Sequence, residues 1–183
     1  MATRAVSPPL AQVPNALTIA RFALIPVFVV LMVRAGHNAS WPAGVAFGIA
    51  AITDQVDGFL ARRWRVESRF GKLADPLADR LMIDAAVICL AVYDRLPWVG
   101  LAVIVGRDVL LLAGSALLAP AGLQVEVNTV GKAATWVLYA AIFFRIVIDP
   151  ATKWPLYLFW VGLVLAVVAG VFYIGTARRE LRR

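Results

Sequence analysis

The chain has 183 residues, of which 62% are hydrophobic, and it carries a formal net charge of +7 at pH 7. Soluble domains are usually about 45–50% apolar, so this composition argues against a soluble protein and predicts one membrane domain over residues 1–183. The single cysteine, Cys89, excludes a disulfide within the chain. Most lysines and arginines lie beside apolar runs, which favours contact with membrane lipids over binding of nucleic acid.

Apolar runs long enough to cross a bilayer recur along most of the chain. They predict an all-α fold with six transmembrane helices, at about 17–35, 41–61, 76–94, 97–119, 130–148 and 154–176. The first helix is expected to begin after Pro14, where Asn15 or Thr18 can cap it. The expected connections include a polar turn at 36–40, a charged loop at 62–72, a tight turn at 96–98 and a longer, more polar loop at 120–128.

Basic residues set the expected orientation of these helices, because cytoplasmic segments are enriched in Lys and Arg. Most of them lie around 62–72 and in the tail 177–183. Both termini, including the segment 1–16, are therefore predicted to face the cytoplasm from the plasma membrane. The tail is either only a topology signal or also a site for anionic lipid. Tryptophans begin the second, fourth and sixth helices at the opposite face, as in an aromatic belt: Trp41, Trp98 and Trp154.

Four aspartates fall within 26 residues, where the second apolar run ends and the third begins. Asp54 and Asp57 are three residues apart, and Asp75 and Asp79 are four apart, so each pair lies on one face of a helix. Four carboxylates that converge would repel one another unless a cation neutralises them. Oxygen ligands suit Mg²⁺ or Mn²⁺, and two such ions are plausible. Hard cations of this kind usually bind phosphates.

Small and basic residues between these aspartates also suit a phosphate ligand. Gly58 and Ala61 leave room for close approach to the backbone, and Arg62 can pair with a phosphate through its planar fork. Gly71 is expected to turn the charged loop. The alternative is that these aspartates and the nearby arginines form ordinary ion pairs at the membrane surface.

The segment from Asp54 to Asp79 resembles the CDP-alcohol phosphotransferase signature, D-x-x-D-G-x-x-A-R-x8-G-x3-D-x3-D, at every specified position. The six-helix layout extends the resemblance over nearly the whole chain. It implies a homodimeric enzyme that moves the phosphatidyl group of CDP-diacylglycerol to an alcohol, releases CMP and opens to the cytoplasm. The implied ligands of two divalent metals are Asp54, Asp57, Asp75 and Asp79, with Asp79 also the base on the acceptor hydroxyl. The implied donor-binding residues are Val13, Pro14, Asn15, Ala16, Asp54, Gly58, Ala61, Arg62, Ser68, Gly71 and Asp75.

The acceptor alcohol must be recognised by other polar residues within the apolar runs. Candidates are Arg21, the adjacent Arg107 and Asp108, and Lys132, although the middle two can be a structural ion pair and Lys132 can merely extend to the membrane surface. Several cations favour an anionic acceptor. Arg145 is instead expected to be an interfacial anchor.

The opening NALTIAR at 15–21 resembles the glycerophospholipid branch of the family, which includes phosphatidylglycerophosphate synthases and cardiolipin synthases of this type. The stretch GKAAT at 131–135 lacks the second lysine of the G-K-x-K-T pattern in the former group. Phosphatidylglycerol is therefore the favoured acceptor, glycerol-3-phosphate the alternative and inositol phosphate a third. A membrane metal-ion transporter and a hydrolase that uses water as acceptor are competing functions.

Overall fold

The protein is described here as a computed structural model that covers residues 8–64, 69–118 and 129–180, with side chains at 19–53, 80–110 and 131–172. These residues form helices and no strand, which confirms the all-α prediction for this part of the chain. The helices are α1 (Pro8–Ala35), α2 (Trp41–Trp64), α3 (Arg69–Val92), α4 (Trp98–Leu118), α5 (Thr129–Val147) and α6 (Trp154–Glu180).

The start of α1 differs from the prediction, because the helix begins at Pro8 and continues through Pro14. Asn15 and Thr18 lie inside the helix and do not cap it. Proline suits a first helical turn, since the backbone donor it lacks has no partner there. A later proline removes only one hydrogen bond, and neighbouring residues with good helix propensity allow the helix to continue.

The charged loop predicted at 62–72 is also mostly helical, because α2 extends to Trp64 and α3 begins at Arg69. Gly71 is the third residue of α3, so its predicted role in a loop turn is wrong. Arginine, lysine, leucine and alanine are good helix formers, and their charge alone does not indicate a loop. The connection 65–68 and the predicted loop at 120–128 lie outside the described residues.

The predicted polar turn after α1 and the tight turn before α4 are confirmed, although the second begins earlier, because α3 ends at Val92 and Trp98 already belongs to α4. Gly36 has a φ of 58°, a left-handed conformation that suits glycine, and its N–H donates to the Met32 carbonyl. Ser40 Oγ accepts a hydrogen bond of 3.2 Å from the Ala43 N–H and so caps α2. After α3, the N–H groups of Arg95 and Leu96 both donate to the Leu90 carbonyl, at 2.7 and 3.1 Å.

The chain divides into two compact units, Met1–Gly36 with Ser40–Cys89, and His37–Ala39 with Leu90–Arg183. In the first unit α1 packs against α2, and the rings of Phe28 and Phe47 lie 6.0 Å apart in this contact. In the second unit α6 packs against both α5 and α4.

Apolar side chains cover much of the helix surface outside these contacts. Val161, Val164 and Val171 of α6 are 53%, 60% and 65% exposed, as expected for a helix that faces lipid. Within the described residues, one stretch, Trp154–Phe172, is both long and apolar enough to cross a membrane. Crossing by the other helices, and their orientation, stay predictions. The predicted tryptophans begin α2, α4 and α6 and are exposed: Trp41, Trp98 and Trp154.

Two glycines of α4 provide a matched test of how α4 packs in the second unit. A Cβ on Gly100 would lie 2.6 Å from Cε1 of the fully buried Phe159, whereas a Cβ on Gly106 would meet no described atom within 4 Å. Gly100→Ala is expected to lower the free energy of unfolding by about 1–3 kcal/mol through overpacking. Gly106→Ala is the control, expected to be neutral or slightly stabilising in a helix. Equal unfolding transitions for the two variants in detergent would contradict the α4–α6 packing.

Candidate functional site

The aspartates of the signature lie on two helices of the first unit, Asp54 and Asp57 on α2 and Asp75 and Asp79 on α3. Because the backbone is helical at both places, spacings of three and four put each pair on one helix face, as predicted. Their side chains lie outside the described ones, so convergence of the two pairs and metal binding by them stay predictions.

The residues predicted to bind the donor lie in the same unit where the structure describes them. Val13, Pro14, Asn15 and Ala16 are on α1, Gly58, Ala61 and Arg62 on α2, and Gly71 on α3. Ser68 lies outside the described residues. The sequence segments assigned to the donor therefore belong to α1, α2 and α3, whose contacts with CDP-diacylglycerol stay predictions.

Arg107 and Asp108 form an ion pair in α4, in which Nη1 of the arginine lies 3.1 Å from Oδ1 of the aspartate. The side chain of Asp108 is 6% exposed and that of Arg107 is 21% exposed. The two predicted acceptor residues are thus brought together, and the prediction that they could be an ion pair is confirmed. A partly buried ion pair costs desolvation energy, so it is compatible with a functional role as well as a structural one.

The other two predicted acceptor residues occupy different environments. Arg21, on α1, is buried with an exposed fraction of 1%. Lys132 is exposed in the first turn of α5, where Thr135 Oγ1 donates a hydrogen bond of 3.0 Å to the Gly131 carbonyl. Arg21 belongs to the first unit and Lys132 to the second, together with Arg107 and Asp108.

A second pair of arginines, which we call the arginine clamp, consists of Arg95 and Arg145 in the second unit. Arg95 is 2% exposed and Arg145 is 7% exposed, so the prediction of Arg145 as an interfacial anchor is wrong. Each side chain donates to the backbone carbonyl of the other residue, through Arg95 Nη2 and, at 2.6 Å, through Arg145 Nε.

Further hydrogen bonds connect the clamp to neighbouring turns. Arg95 Nη1 donates to the Asn38 carbonyl at 2.8 Å, and its Nη2 is 3.3 Å from the carbonyls of Ile146 and Ile148. Arg145 Nη1 donates to the carbonyls of Pro150 and Thr152, at 3.0 and 3.1 Å. The acceptors include carbonyls at the end of α5, where a helix has no backbone donors of its own to offer.

The charge of Arg95 is retained despite its burial. Burial, and then the positive charge of Arg145, lower the pKa of Arg95 to about 10, while Asp149 acts in the opposite direction. Arg95 therefore stays protonated at neutral pH. This pair has no signature in the sequence, because its partners are backbone carbonyls that no side-chain pattern reveals. The one indication in the sequence is a charged residue, Arg95, in the short connection between two apolar runs.

Known proteins are similar to this chain over most of its length. The family model described as CDP-alcohol phosphatidyltransferase matches residues 11–170. The chain is 34% identical over 182 residues to the CDP-diacylglycerol--glycerol-3-phosphate 3-phosphatidyltransferase of Bacillus subtilis (strain 168), with 88% of this chain and 93% of that protein covered. Identity to the protein of the same name from Escherichia coli (strain K12) is 32% over 178 residues, with 93% and 97% covered.

Because Arg107 and Asp108 form an ion pair in α4, we expect the protein to lose stability when the Asp108 carboxylate is replaced by a neutral group. Asp108→Asn removes the carboxylate charge that lies 3.1 Å from the partly buried Arg107 guanidinium, and it is expected to lower the free energy of unfolding by about 1–3 kcal/mol. Asp94→Asn is the matched control, because Asp94 is exposed and asparagine tolerates its φ of 54°. Thermal unfolding in detergent measures both variants, and an unchanged midpoint for Asp108→Asn would argue against a stabilising pair.

Proposed function

Because the chain belongs to the CDP-alcohol phosphatidyltransferase family, we propose that it transfers the phosphatidyl group of CDP-diacylglycerol to glycerol-3-phosphate and releases CMP. The observation that carries this proposal is the similarity to relatives named for that donor and that acceptor over 88% and 93% of the chain. The protein is a phosphatidyltransferase by family, and the complete signature from Asp54 to Asp79 supports the same donor.

The choice of acceptor revises the preference drawn from the sequence, which was phosphatidylglycerol. That preference depended chiefly on one position, Ala134, where the G-K-x-K-T pattern has its second lysine. Relatives that match along nearly the full chain are named for glycerol-3-phosphate, and they outweigh a single substituted position. Arg107 and Lys132, both in the second unit, would supply cations that suit the phosphate of this acceptor, and Asp108 would orient Arg107. Arg21, in the first unit, stays a predicted acceptor residue.

The donor set of the signature fits divalent cations, because carboxylate oxygens are the ligands that Mg²⁺ and Mn²⁺ prefer. We propose that Asp54, Asp57, Asp75 and Asp79 hold two such ions. When bound, the ions would neutralise charge on the pyrophosphate and on the leaving CMP. Arg62 would add a planar guanidinium beside the same phosphates, and Gly58, Ala61 and Gly71 would let them approach the helix backbones.

Direct transfer of the phosphatidyl group follows from these assignments. Asp79 takes the proton of the primary hydroxyl of glycerol-3-phosphate. The hydroxyl oxygen forms a bond to the phosphorus that carries diacylglycerol, and the phosphoanhydride bond breaks to release CMP. The products are phosphatidylglycerophosphate and CMP. We place this site at the cytoplasmic face of the plasma membrane, in a homodimer, as the basic segments and the family resemblance predict.

Acceptor screening tests the proposed reaction. Purified protein with CDP-diacylglycerol and Mg²⁺ or Mn²⁺ is expected to release CMP with glycerol-3-phosphate and little with phosphatidylglycerol, inositol phosphate or serine. CMP release that requires phosphatidylglycerol would restore the cardiolipin synthase function. Release without any alcohol would indicate the hydrolase, and metal flux into liposomes without CMP release would indicate the transporter.

Removal of the proposed base gives a second test. Asp79→Asn is expected to lower kcat by about 10²–10⁴-fold or more, because the amide cannot accept the proton and is a poorer metal ligand. The exposed Asp94→Asn variant is the control and should retain activity. Equal unfolding midpoints would show that both variants are folded, and wild-type turnover by Asp79→Asn would remove Asp79 from the mechanism.

A further inference from the structure

The arginine clamp lies where two helices of the second unit meet the turns beside them. Arg95 precedes the start of α4 at Trp98 by three residues, and Arg145 lies in the last turn of α5. The side chains join these places through the reciprocal hydrogen bonds to each other's carbonyls. Helix α6 packs against both α4 and α5 and starts just after Thr152, whose carbonyl also accepts from Arg145.

Two of the proposed acceptor residues, Arg107 and Lys132, lie along these same helices at a distance from the clamp. Arg107 follows Trp98 by nine residues, and Lys132 precedes Arg145 by thirteen. At about 1.5 Å per residue they lie about 14 and 20 Å along their helices from the clamp. Helix α4 runs away from the clamp and α5 runs towards it. The displacement that a tilt at the clamp produces grows with distance along each helix, so it is larger at Arg107 and Lys132 than at the clamp.

We propose that Arg95 and Arg145 are positioning residues for the acceptor: the clamp sets the directions of α4 and α5 and thereby the placement of Arg107 and Lys132 around glycerol-3-phosphate. This inference rests on the proposed function. A tilt of about 5° at the clamp moves a side chain about 20 Å away by nearly 2 Å, and a misplacement of about 1 Å can already cost about 10²-fold in rate.

The role proposed for Arg95 requires an arginine, because the carbonyls that accept its hydrogen bonds lie in two directions. The Arg95 guanidinium reaches carbonyls on two sides, that of Asn38 through Nη1 and those at the end of α5 through Nη2. A planar fork makes these bonds at once, whereas the single ammonium group of lysine cannot span both directions. The backbone bonds of Arg95 and Leu96 to the Leu90 carbonyl do not depend on the side chain, so α3 keeps its end in a lysine variant.

The test is a kinetic comparison of Arg95→Lys with the wild type, with CDP-diacylglycerol and glycerol-3-phosphate as substrates. The variant is expected to raise KM for glycerol-3-phosphate by on the order of 10-fold, with KM for CDP-diacylglycerol within about two-fold of wild type. A purely structural role would lower the fraction of active protein and leave both KM values unchanged. That outcome would overturn the inference.

Two further variants complete the experiment. Arg145→Lys should show the same selective change, and it decides the question if Arg95→Lys yields no folded protein. Because the two side chains bond reciprocally, the double variant should change the acceptor KM by less than the product of the single effects. Arg34→Lys, at an exposed arginine in the last turn of α1, is the matched control and should leave both KM values unchanged. A wild-type protein inactive with glycerol-3-phosphate would instead refute the proposed function.

Discussion

A charged side chain buried among apolar helices must find its hydrogen-bond partners within the protein, and this constraint shapes the second unit. Arg95, through Nη1 and Nη2, and Arg145 largely meet it with backbone carbonyls from turns and from the end of α5, whereas Arg95 Nε has no partner among the described atoms. The same bonds supply donors to carbonyls that a helix end leaves without partners. Hydrogen bonds to carbonyls at the ends of these elements thus offset part of the cost of burying two positive charges. The same bonds hold the turns in place beside the helices that start or end there.

The helices could be predicted well from sequence, because their limits coincide with apolar runs and with tryptophan or proline. The ends of α1, α5 and the start of α6 lie within a residue of the predicted limits. The errors arose where charge was taken as evidence for a loop, at 62–72, and where Pro14 was taken as a helix boundary. In both places the helix propensity of the surrounding residues is the stronger influence.

The functional residues differ in how far the sequence alone could identify them. The spacing from Asp54 to Asp79 follows the helix repeat, so a local pattern specifies the donor motif. The residues proposed to bind the acceptor are scattered over α1, α4 and α5, and no local pattern connects Arg21 with Lys132. The pairing of Arg107 with Asp108 could be anticipated from adjacency, whereas the clamp joins residues 50 positions apart through backbone atoms and could not.

The proposed donor motif is local and shared by the family, whereas the proposed acceptor residues are scattered. Membership of the family therefore indicates the type of reaction more directly than it indicates the acceptor. The signature on α2 and α3 is proposed to bind the donor, and the relatives named for glycerol-3-phosphate favour that acceptor. The most direct measurement is the mass of the lipid formed from CDP-diacylglycerol and carbon-labelled glycerol-3-phosphate, together with the amount of CMP. We expect labelled phosphatidylglycerophosphate in equal amount to CMP. Unlabelled phosphatidic acid as the only lipid product, or no labelled lipid at all, would contradict the account.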